Sequence, residues 1–218
     1  MTARRVPLIY RIVMFVATPF VNWWGRLQVT GAELVDGPEP LLMFANHDSH
    51  WDPLIVGLAA RGRSADGRQV CALAKASLWK NAFVGRVLDG MGQIPIERGR
   101  GDADALSAAI EQLESGACVG VFPEGTISGG NVMRFLSGAG RLALAVPTAR
   151  VVAVSITGAV DITKFPVRPR IRVEFFEPAT GQPKEGESAI ALTRRIMEEV
   201  RAKAPAVAAG RGPKAIRS

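Results

Sequence analysis

From residue 41 onward the sequence alternates short apolar runs with helix-patterned stretches, and that alternation leaves few architectures open. The runs LLMFAN (41–46), VCALAK (70–75), GQIPIERG (92–99), ACVGVF (117–122), VVAVSI (151–156) and RIRVEFF (170–176) have the length and apolar content of strands. After the first run, Asp52 is expected as a helix N-cap with Pro53 in the first turn, leading into LIVGLAA. RGRSADGR (61–68) is a turn-rich connection. Further helices are expected over WKNAFVGRVLDG (79–90), DADALSAAIEQLESG (102–116, closing on Gly116), SGAGRLALA (137–145) and SAIALTRRIMEEVRAKA (188–204, stopped by Pro205). Strands separated by helices imply an α/β fold, with a mixed, largely parallel sheet flanked by helices. A mass of 23.3 kDa suits one domain with a substantial core. The expected layout is an N-terminal segment (1–27), one folded domain (28–204) and a loose basic tail (205–218).

The N-terminal segment differs in kind. MTARR precedes VPLIYRIVMFVATPFVNWWGRL, an apolar stretch interrupted by Arg11 and Pro19. As a spanning helix it is marginal, because a span needs about 20 apolar residues and little over ~17 are continuous here. Spanning stays open beside a surface position. No small-residue cleavage site follows it; Trp23, Trp24 and Arg26 stand there instead, residues suited to a membrane–water boundary. The expectation is an amphipathic helix lying in a membrane surface. The alternative is a helix packed on the protein's own core.

Charge narrows the partners. The net charge is +7 and the isoelectric point about 10.1, which favours an anionic partner such as lipid or a phosphorylated substrate. The cations are scattered and tyrosine occurs once, so the basic–aromatic clustering of a nucleic-acid surface is missing. Cys71 and Cys118 each lie inside an apolar run without metal-ligand spacing, and read as buried free thiols.

Two polar clusters directly follow strands: NHDSHWD (46–52) and FPEGTISGG (122–130). Ligands of open α/β sheets gather beyond the carboxyl ends of strands, so the two clusters can line one cleft. Both histidines of the chain, His47 and His50, lie in the first. A loop this short can fold Asp52 back onto the His47 imidazole, leaving the other ring nitrogen to take a proton. Asp52 can serve its helix at the same time. A metal site would draw further ligands from distant segments, and no other histidine exists. No G-x-S-x-G elbow marks a serine nucleophile. A base without a protein nucleophile suits direct transfer, in which a deprotonated substrate hydroxyl attacks an activated carbonyl.

NHDSHWD matches the N-H-x-x-x-x-D signature of the glycerolipid acyltransferases, the 1-acylglycerol-3-phosphate (lysophosphatidate) acyltransferase family. The chain resembles that family over residues 28–178. KASLWKNAFVGRVLDGMGQIPIERG (75–99) is similar to its second block, FPEGT (122–126) to its third and VVAVSITG (151–158) to its fourth. The first signature alone is weak; with FPEGT downstream it is specific. The resemblance implies His47 as general base and Asp52 as its orienting acid, with direct attack and no acyl-enzyme. It also implies Arg98, Glu124, Gly125 and Thr126 as the holders of the acceptor's phosphate and glycerol. From the residues alone, Glu124 and Arg98 read as a structural ion pair.

The chain departs from the family at Ile127, where arginine is common, at Leu136, which replaces a lysine, and at Ala153, which replaces a proline. Lys75 and Arg134 are the candidates to make good the missing cations. The expected activity is transfer of a fatty acyl group from acyl-CoA or acyl-carrier-protein thioester to 1-acylglycerol-3-phosphate, without cofactor or metal. The expected setting is the membrane phospholipid surface on the cytoplasmic face, with peripheral or monotopic attachment and no nucleic acid. Two alternatives stay open. One is glycerol-3-phosphate or another polar-headed lysophospholipid as acceptor; the other is a non-catalytic lipid-binding protein. His50 and Asp48 fall where the family varies.

Overall fold

The computed structural model describes residues 6–61, 68–97, 103–166 and 168–208. A seven-stranded sheet runs through it, built from β1 (Gln28–Thr30), β2 (Leu41–Ala45), β3 (Val70–Lys75), β4 (Ile94–Ile96), β5 (Cys118–Val121), β6 (Arg150–Thr157) and β7 (Arg172–Phe176). Their order is β1-β7-β6-β2-β5-β3-β4. All neighbours are parallel except β6 and β7. The architecture is thus a single α/β domain with a mostly parallel sheet, as the alternation of runs implies.

Strand β2 lies at the centre between β5 and β6, and all five of its residues are buried. Side chains alternate across a strand, so Leu41, Met43 and Ala45 face one layer while Leu42 and Phe44 face the other. The first layer holds α1 (Leu8–Trp24) and α2 (Asp52–Ala60). The second holds α4 (Ala103–Glu114), α5 (Gly138–Ala145) and α6 (Ala189–Lys203). Helices α5 and α6 come close because Gly140 has no side chain. A Cβ there would overlap the Ala189 carbonyl oxygen and lie 2.7 Å from Thr193 Oγ1.

Four expectations need correction. The helix expected over 79–90 is divided: a 3₁₀ turn covers Ala76–Lys80, and α3 (Ala82–Gly90) begins two residues later. Asn81 breaks it, because its side chain accepts from the Phe83 and Val84 N–H groups and caps a new start. Of the strand expected over 92–99, the described residues form Ile94–Ile96, its start set by Gly92, which turns the chain at φ 68°; 98 and 99 lie outside the described residues. Strand β1 was not expected; it has one half-buried residue between two exposed ones and carries little apolar signal. Trp51, not Asp52, holds the N-cap position of α2. Residues 62–67 of the expected turn and 209–218 of the tail lie outside the described residues.

Helix α1 has two unlike sides. Tyr10, Met14 and Val21 are buried against the core, and Gly57 of α2 makes room for Tyr10 and Met14. Leu8, Phe15, Val16 and Trp23 are each at least 66% exposed, an apolar stripe left mostly uncovered, with the Arg168 guanidinium 4.9 Å from the Trp23 ring centre. Among the described residues no helix is long and apolar enough to cross a membrane.

Candidate active site

The site begins where β2 ends. Asn46 is fully buried and takes the place of a backbone partner for β6: its Oδ1 accepts from the Ile156 N–H at 2.7 Å and its Nδ2 donates to the Ile156 carbonyl at 2.9 Å. Nδ2 also donates to Asp48 at 3.0 Å. The chain therefore leaves the sheet at a fixed point, and the next residue, His47, is held beyond the strand end. Its ring packs on Phe122, the residue after β5, with centroids 4.6 Å apart.

Asp52 Oδ2 lies 3.1 Å from His47 Nδ1 and also accepts from the backbone N–H groups of Asp48 at 2.8 Å and Ser49 at 2.7 Å. This explains the misplaced cap. The carboxylate holds the loop before α2 and not the first turn of α2. An oxygen already accepting two N–H groups can only accept from the imidazole, so Nδ1 carries the proton and Nε2 keeps its lone pair. Asp52 Oδ1 is buried without a partner among the described residues. Burial pushes the Asp52 carboxyl above its ordinary value, opposed by the hydrogen bond from His47.

Behind this pair lies a second charged group. Arg201, in the last turn of α6, donates to both oxygens of Asp48 at 2.9 and 3.0 Å and to both oxygens of Glu124 at 2.9 and 2.6 Å. Ser128 joins the same group, with its hydroxyl on Asp48 and its N–H on the His47 carbonyl at 2.8 Å. Glu124 is only 3% exposed; burial raises its carboxyl above the usual range, opposed by the bonds from Arg201. Gly125 turns the chain at φ 68°, and a Cβ there would also meet Leu136 at 2.6 Å.

The structure brings His47, Asp52, Glu124 and Gly125 into one constellation at the adjacent ends of β2 and β5. Thr126 is exposed next to it, and Lys75 is exposed at the end of β3, on the same edge of the sheet. Arg134 lines a groove of about 540 Å³ between the loop after Thr126 and α6, together with Phe135, Leu136, Arg194 and Glu198. Arg98 lies outside the described residues. Glu124 does form a structural ion pair, and its described partner is Arg201.

Sequence reasoning missed Arg201 and gave Asp48 no task. A usable signal was present: Arg201 stands four residues after the buried Met197, on the same helix face. His50 is exposed, so the compact look of NHDSHWD dissolves into two separate jobs. Cys71 and Cys118 are both buried, and burial pushes the Cys118 thiol up to about 12, far from a nucleophilic thiolate.

Three comparisons bear on this arrangement. A family model described as Acyltransferase matches residues 26–163. A 1-acyl-sn-glycerol-3-phosphate acyltransferase of Borreliella burgdorferi is 33% identical over 126 residues, covering 56% of this chain and 48% of that protein. The match therefore spans about half the length of that relative. The crystal structure of the 1-acyl-sn-glycerophosphate (LPA) acyltransferase PlsC from Thermotoga maritima is similar with a TM-score of 0.67 and 26% identity. That similarity covers 90% of this chain and 78% of the other.

Proposed function

Because the chain belongs to the acyltransferase family, we propose that it moves a fatty acyl group from a thioester to the free hydroxyl of 1-acylglycerol-3-phosphate, with His47 as the base. The observation that carries this reading is the His47–Asp52 pair, with Asp52 fixed by two backbone N–H groups. His47 Nε2 takes the proton of the acceptor hydroxyl as its oxygen attacks the thioester carbonyl. The tetrahedral intermediate collapses with loss of the C–S bond, and the departing thiolate recovers the proton from His47. Asp52 keeps the imidazole in the productive tautomer and stabilises the imidazolium that forms. No acyl-enzyme is needed, and acyl-CoA or acyl-carrier protein supplies the thioester.

Glu124, Gly125 and Thr126 form the acceptor side of the cleft, with Lys75, Arg98 and Arg134 as the cations available to a phosphate. The exposed face of α1 lies on the membrane and gives the site its lipid. Phe20 of that helix contacts Trp51 of the NHDSHWD loop, ring centroids 5.9 Å apart, so the apolar face reaches the site. The enzyme then sits on the cytoplasmic face of the membrane as a peripheral or monotopic protein.

One observation favours a second acceptor. Leu136, where the family has lysine, packs over Gly125 and makes that wall of the cleft apolar. An acceptor other than 1-acylglycerol-3-phosphate, such as glycerol-3-phosphate or another lysophospholipid, fits that change. The deciding experiment is a panel of acceptors with radiolabelled acyl-CoA, resolved by product. Phosphatidic acid as the main labelled product supports the first reading. Acyl-CoA consumption that needs no acceptor would make the protein a hydrolase, and no consumption at all would leave a lipid-binding protein.

A further inference from the structure

A guanidinium has five N–H donors in a fixed plane, and all five of Arg201 are used inside the protein. Nε donates to Glu124 Oε1 at 2.9 Å, and Nη1 to Asp48 Oδ2 at 2.9 Å and the Ala204 carbonyl at 3.1 Å. Nη2 donates to Asp48 Oδ1 at 3.0 Å and Glu124 Oε2 at 2.6 Å. Nothing is left over for a substrate phosphate. Arg201 therefore acts on the reaction through the two loops it grips.

We infer that Arg201 is a positioning residue for the acceptor: it sets the distance between the loop carrying His47 and the loop carrying Glu124. That role presupposes the acyl transfer proposed above. The two loops leave neighbouring parallel strands, β2 and β5, and each places a carboxylate in the space between the strand ends and α6. Side by side and unpaired, Asp48 and Glu124 would repel and push the loops apart. One planar cation bonded to both carboxylates fixes their separation and their angle together. Ser128 adds a lighter tie between the same loops through its bonds to Asp48 and the His47 carbonyl. The base is thereby built from the first loop and the acceptor wall from the second, while their spacing is set by a helix residue 153 positions downstream of Asp48.

Lysine keeps the charge but has three donors on a flexible stem, so it cannot hold four carboxylate oxygens in one plane. The test uses the full chain with Arg201→Lys and, separately, Asp48→Asn. Both are assayed for kcat and for two Michaelis constants, one for the acceptor lysophosphatidate and one for acyl-CoA, alongside thermal unfolding. The expected result for folded Arg201→Lys is a loss of about 10- to 100-fold in kcat/KM for the acceptor, with the acyl-CoA KM moved less than about twofold. Asp48→Asn, which leaves the Arg201–Glu124 bonds in place, raises the acceptor KM in the same direction by a smaller factor. If Arg201→Lys does not fold, the Asp48→Asn split between the two KM values decides alone. A lowered unfolding temperature with wild-type kcat and acceptor KM in the folded variants overturns the role, because the cluster is then only structural. A wild-type chain that acylates no acceptor brings down the reaction and this role together; an active wild type with unaffected variants brings down the role alone.

Discussion

Asp52 and His47 share one contact, Nδ1 to Oδ2 at 3.1 Å, while the other Asp52 oxygen is buried with no partner among the described residues. One oxygen is thus bonded three times and the other left bare. That imbalance is costly for a carboxylate and useful for a base.

The cost gives the first prediction. Burial raises the Asp52 carboxyl above its ordinary value of 3.8, so the folded protein holds that proton more tightly than the unfolded chain does. As pH rises above 3.8, wild type loses stability relative to Asp52→Asn, which does not titrate. The unfolding temperature of the variant minus that of wild type should therefore become more positive as pH rises from about 4. Acyl transfer in the same variant should fall by about 10²- to 10⁴-fold, because the tautomer of His47 is no longer set. A temperature difference that shrinks as pH rises contradicts the burial argument.

Gly140→Ala tests the packing of α5 on α6. The added methyl would overlap the Ala189 carbonyl oxygen, a backbone atom that cannot swing aside. Overpacking of this kind costs about 1–3 kcal/mol, and a chain of this size loses roughly 2–4 °C per kcal/mol. Because α6 carries Arg201, activity should fall along with the unfolding temperature. Calorimetry showing no change would mean the helices part without cost.

The exposed side of α1 should govern lipid binding and not folding. Phe15 and Val16 are 73% and 67% exposed, so replacing both with serine removes little native packing. Burying such side chains in lipid contributes about 1.5–3 kcal/mol each, and the double variant should bind anionic phospholipid vesicles at least about tenfold more weakly. Met14→Ala, on the buried side of the same helix, should instead cost about 2–5 kcal/mol of stability. Vesicle sedimentation and thermal unfolding separate the two. Undiminished vesicle binding by the double variant places the lipid surface elsewhere.

What could be read from the residues followed burial. Strands β2, β3, β5 and β6 are apolar over most of their length because both faces are covered, so their runs stand out in the sequence. Strand β1 has one half-buried residue between two exposed ones and leaves no such trace. The antiparallel pairing of β6 with β7 depends on contacts distant in sequence, which no local run encodes. At the site, His47 and Asp52 are legible because they lie five residues apart in a loop between two clear elements. Arg201 is not, because it stands 77 residues from Glu124 and 153 from Asp48 in a helix carrying several other charges. Only its step of four from Met197 marks it as turned inward.

His47 is the residue on which the proposed chemistry turns, and His47→Ala tests it most directly. Thiol release from acyl-CoA is measured with and without 1-acylglycerol-3-phosphate, together with the unfolding temperature. Wild type should release thiol only when the acceptor is present. The variant should remain folded and lose that acceptor-dependent release by at least about 10²- to 10⁴-fold. A folded His47→Ala protein that turns over acyl-CoA and acceptor at the wild-type rate would contradict the assignment of His47 as the base.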